Sequence, residues 1–70
     1  MDPLRRLAAI QRELGNRRLE GIALGNLGVA CSALGQVQAA QEHYTAALAI
    51  ARELGNRRHE GFLQLSLGML

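Results

Sequence analysis

Arg12-Glu13-Leu14-Gly15-Asn16-Arg17-Arg18 recurs unchanged as Arg52-Glu53-Leu54-Gly55-Asn56-Arg57-Arg58, a shift of 40 positions. Working outward, the same shift lays Ala9-Ile10 on Ala49-Ile50, Glu20-Gly21 on Glu60-Gly61 and Leu27-Gly28 on Leu67-Gly68. Of the 27 positions in 4–30, 13 match their counterparts in 44–70. A period of this length holds two helices and their turns, and such units stack on copies of themselves to bury their apolar faces. The repeated string reads as a joint between helices. Its glycine can take positive φ at a helix C-terminus, and its asparagine can cap the next helix, with Glu20 or Glu60 in or near the first turn.

Gly35-Gln36 reads as a further short turn. Together these signals predict four helices, at 4–14, 17–34, 37–54 and 57–69. The short connections make successive helices antiparallel neighbours. In 37–54, Val37, Ala40, Tyr44, Ala47, Leu48 and Ala51 recur at spacings of three and four, an apolar stripe of helical period. Leu24, Leu27, Cys31 and Leu34 do the same in the helix before it. That helix also carries Gly21, Gly25 and Gly28, although an interior glycine costs about 1 kcal/mol against alanine. Gly28 is expected to let the Tyr44 region approach closely. Gly21 and Gly25 read equally well as surface positions. The expected architecture is all-α, a single domain over 1–70. It comprises the second helix of a preceding unit (4–14), a full unit (17–54) and the start of a following one (57–69).

Composition narrows the function. The apolar fraction is 49%, aliphatic and small, with Tyr44 and Phe62 the two aromatics. Eight arginines face six acidic residues, an excess too small and too scattered for a nucleic-acid footprint. No apolar run is long enough to span a bilayer, and no secretory leader pattern is present. Cys31 has no second cysteine to pair with and sits among apolar residues, which suits a reduced, cytoplasmic setting. His43 and His59 lie 16 positions apart on different predicted helices, with no ligand set around them. No metal, cofactor or catalytic function is therefore expected, and the paired arginines read as inter-helix ion pairs with Glu13, Glu20, Glu53 and Glu60.

The letters of the full unit, Leu24, Leu27-Gly28, Cys31, Ala40, Tyr44 and Ala47, resemble the tetratricopeptide repeat signature at its usual spacing. The period and the strings Leu-Gly-Asn and Gly-Asn-Leu-Gly resemble its long variant. That variant occurs in leucine-glycine-asparagine repeat adaptors, kinesin light chains and bacterial repeat regulators. Gln64, in the place of Leu24, and Arg52, where the family often has proline, depart from the pattern. The resemblance implies a stacked α-solenoid whose first helices line a concave groove for a peptide or helix. Carried over by position, the groove residues are Ile22, Gly25, Asn26, Val29, Ser32 and Ala33, then Phe62, Leu65, Ser66 and Met69. The implied function is a protein-binding scaffold with a small, mostly apolar groove. A structural spacer or oligomerisation module of a longer repeat protein is the alternative.

A repeat array normally ends in polar caps, and this chain shows none. Leu4 and Leu7 at one end, and Phe62, Leu63, Leu67 and Leu70 at the other, are expected to drive self-association, a two-fold dimer above all.

Overall fold

The computed structural model describes residues 3–70, with side chains described for Arg6 and for residues 9–70. Three α-helices follow one another: α1 (Pro3–Ala33), α2 (Val37–Glu53) and α3 (Arg57–Gly68). The expectation of four helices is thereby corrected, because 4–14 and 17–34 form one continuous helix. Gly15 does not take positive φ; among the described residues only Gly35 and Gly55 do, at 75° and 66°.

The second copy of the repeated string behaves as its sequence predicts. Gly55 N–H donates to Arg52 O (3.1 Å) and Asn56 N–H to Ala51 O (2.8 Å). This is the paired pattern of a Schellman motif, closed by a left-handed glycine. The Asn56 side chain then accepts from His59 N–H at 3.2 Å, capping α3. The α1–α2 turn repeats the pattern, with Gly35 N–H on Ser32 O (3.1 Å) and Gln36 N–H on Cys31 O (2.8 Å).

The same seven residues therefore make a turn at 52–58 and a straight helix at 12–18. The difference lies in what returns after the turn. Beyond Gly55 the chain brings Leu63 back into the core, where it is fully buried. Before Gly15 the places of Tyr44 and Ala47 are held by Leu4 and Leu7, so a fold-back there would not meet the ring-and-alanine surface that α2 offers. Carrying the helix through Gly15 costs only about 1 kcal/mol, while each residue added to an existing helix gains a hydrogen bond for little further ordering. Continuation wins.

The core lies where α2 is held between its two neighbours. Ala40, Tyr44, Ala47, Leu48 and Ala51 of α2 cluster with Leu63 of α3, and Leu24, Cys31 and Leu67 pack against the cluster. The alanines keep the helices close, and α1 comes closer still through its glycines. A Cβ on Gly28 would lie 2.6 Å from two ring carbons of Tyr44. One on Gly21 would lie 3.0 Å from Ile50 Cγ2, and one on Gly25 3.2 Å from His59 Cε1. All three glycines are buried, so Gly21 and Gly25 prove to be contact positions as well. Of the stripe expected in this helix, Leu27 and Leu34 are exposed.

Candidate partner-binding groove

Helices α1 and α3 lie side by side across α2 and leave a cleft of about 370 Å³ between them. Ile22, Asn56, Arg58, His59 and Phe62 line it. The cap at Asn56 fixes where α3 begins, and the buried Leu63 fixes its rotation, so Phe62 is turned outward beside Ile22. His59 forms the floor. Its ring stacks on Phe62 with centroids 6.1 Å apart and planes 10° from parallel. Its Nε2 approaches Gly21 O at 3.5 Å, and its ring edge rests over Gly25.

The groove positions carried over from the family divide in two. Ile22, Asn26, Val29, Ser32 and Ala33 are exposed on α1. Ile22, Asn26, Val29 and Ala33 follow one another at spacings of four and three, along one helical face. Phe62 and Leu65 on α3 are exposed, as is Met69, which caps its C-terminus. Ser66 is half-buried, and its hydroxyl donates to Phe62 O at 2.9 Å. Gly25 is the exception: it lies beneath His59 and Leu63 and presents no free surface. The structure brings Ile22 and Phe62 together on one cleft, with Asn26, Val29 and Ala33 leading away from it along α1.

Arg58 and His59 border the cleft although neither was expected to. His59, which the sequence offers no ligand set, is half-buried. Its counterpart 40 positions earlier is Leu19, and that apolar match was the available sign that the position faces a neighbouring helix.

Ion pairs lie away from the cleft's floor. Arg17 reaches Glu53 at 2.9 Å and Glu20 at 3.0 Å, and Arg52 reaches Glu60 at 3.1 Å. These hydrogen bonds, that with Glu53 foremost, raise the Arg17 guanidinium pKa above its ordinary value. Arg17–Glu53 and Arg52–Glu60 join helices, while Arg17–Glu20 lies within α1; of the paired arginines expected to make inter-helix ion pairs, Arg17 does so. Being exposed, they add little to stability.

The ends expected to self-associate are also partly covered. Leu63 is fully buried and offers no free surface, Leu67 is half-buried against the core, and Phe62 and Leu70 are exposed. The side chains of Leu4 and Leu7 lie outside the described residues. Among the described residues there is no cluster of three metal-ligating side chains and no helix long and apolar enough to cross a membrane. A second, wider depression of about 590 Å³ is lined by Gln38, Gln41, Glu42, Thr45, Ala46 and Ala49 of α2 alone. One helix face with small and polar side chains makes no enclosed site.

The arrangement is that of a helical-repeat scaffold, in which antiparallel hairpins share a helix and present successive first helices side by side. The chain belongs to the tetratricopeptide repeat family, whose model matches residues 4–69. No curated protein and no solved structure is similar enough to match it. As a member of this family the chain is a non-catalytic helical repeat, capable in general of binding a protein or peptide.

Proposed function

We propose that the chain binds an amphipathic helix or apolar peptide of a protein partner along the face that carries Ile22 and Phe62. One observation supports this above the others. Two large apolar side chains on adjacent first helices, 41% and 46% exposed, open on a single cleft. The cleft's volume is at the lower end of the range for ligand pockets, enough for one leucine- or phenylalanine-sized anchor. A helical partner would place further apolar side chains, three, four and seven residues on, along Val29 and Ala33. Arg58 on the rim favours an acidic residue beside the anchor, and the exposed Asn26 can both donate to and accept from a peptide backbone.

Titration of the ¹⁵N-labelled chain with a leucine-anchored, glutamate-containing amphipathic peptide tests this. Shifts should concentrate at Ile22, Asn26, Val29, Arg58 and Phe62, and Ile22→Asp should weaken binding at least tenfold. Shifts absent or spread evenly would favour the alternative, a spacer or oligomerisation module with no ligand of its own.

A further inference from the structure

The face of α1 turned away from the core carries Leu19, Ala23, Leu27 and Ala30, at spacings of four, four and three, and Leu34 follows in the turn just past its end. All five are exposed, Leu19 to 65%, Leu27 to 48% and Leu34 to 74%. The internal repeat says what such a stripe is built to meet. Forty positions on, Ala23 becomes Leu63 and Leu27 becomes Leu67, and these two pack against the core that α2 supplies. The counterpart of α2 is the segment before Gly15, with Leu4, Leu7 and Ala8 in the places of Tyr44, Ala47 and Leu48. That segment cannot reach the stripe of its own chain, because it runs straight on into the same helix. The molecule is accordingly 51 Å long.

We propose that two copies of this chain pair through α1, each laying residues 3–14 on the other's Leu19–Ala23–Leu27 stripe. The register follows from the α2–α3 hairpin. It turns about Gly55, so that Arg52 meets Glu60. Moved back by the repeat, Arg12 meets Glu20 of the second copy, and the centre between them falls on Asn16, next to Gly15. Two antiparallel α1 helices then cross at Gly15-Asn16 on a two-fold axis, the commonest closed symmetry. A Cβ at Gly15 would have nothing within 4 Å, so a second helix backbone finds room there. The pairing uses a different face from the groove and does not depend on the function proposed above.

Sedimentation equilibrium of the 70-residue chain should give twice 7.6 kDa at micromolar concentration. Leu27→Asp and Leu7→Asp should each weaken association at least tenfold, while Val29→Asp on the groove face leaves it unchanged. Spin labels on Ala9→Cys, in a Cys31→Ala background, should show an inter-chain distance of roughly 20–30 Å from helix rise and spacing. A 7.6 kDa species at every concentration, without that distance, would overturn the proposal and leave the segment folded back on its own chain or the stripe bare. A dimer indifferent to Leu7→Asp and Leu27→Asp would overturn it too, by placing the contact elsewhere, as at Phe62 and Leu70.

Discussion

Replacing Gly28 by alanine sets two effects of known size against each other. Alanine is the better helix former by about 1 kcal/mol, so on propensity alone Gly28→Ala should stabilise α1. Its methyl group, however, would sit 2.6 Å from Cδ1 and Cε1 of Tyr44, about 1 Å inside an ordinary carbon–carbon contact. The ring has little room to withdraw, since Tyr44 is 4% exposed and shares its cluster with Ala40, Ala47, Leu48 and Leu63. Either the ring leaves its rotamer or α1 moves off α2. Overpacking of this kind typically costs 1–3 kcal/mol, and a rigid ring met face-on by a backbone-borne methyl belongs near the top of that range. The net expectation is a loss of about 2 kcal/mol. For a chain of this size each kcal/mol moves Tm by roughly 4–8 °C, so the variant should melt about 8–16 °C lower. Circular dichroism at 222 nm, at one fixed protein concentration, reads this directly. Combining the change with Tyr44→Ala should remove the penalty, because the two residues share one contact and cannot act additively. A Gly28→Ala Tm equal to or above the parent's would refute the close approach and the packing argument built on it.

The two copies of the repeated string should answer the same substitution with opposite signs. Gly55→Ala forces a side chain into φ of 66° and should cost about 1–2 kcal/mol, whereas Gly15→Ala, helical and with open space around it, should gain up to about 1 kcal/mol; urea denaturation distinguishes them. The asparagines divide in the same way. Asn56→Ala removes the cap on His59 N–H and should cost about 1 kcal/mol, while Asn16→Ala, in mid-helix, should be neutral or slightly stabilising by the same measurement.

That one seven-residue string gives a turn in one place and a helix in another marks the limit of reading this chain locally. Glycine and asparagine at 15–16 and at 55–56 carry the same permission to turn, and permission is all that local chemistry supplies. Whether the turn forms depends on the returning helix. α2 offers Tyr44, Ala47, Leu48 and Ala51, a large ring set among small residues, and Leu63 closes against them. Before Gly15 the corresponding places hold Leu4, Leu7, Ala8 and Gln11, with no large ring among small residues. Nothing within 12–18 encodes that difference. The Schellman turns at Gly35 and Gly55 and the stripe of α2 from Ala40 to Ala51 were legible because each rests on a few nearby residues, although Val37 proves exposed and Ile50 joins the buried set. The lining of the candidate cleft was legible in part for a related reason. Ile22 and Phe62 could be placed from the family's positions, but Gly25 was assigned outward although it stands four residues from Gly21 and three from Gly28. Helical geometry puts those three on one face. If Gly28 needs its missing side chain to admit Tyr44, the two glycines in line with it meet the same core, and Gly25 had to lie under a neighbour before the identity of that neighbour, His59, could be known.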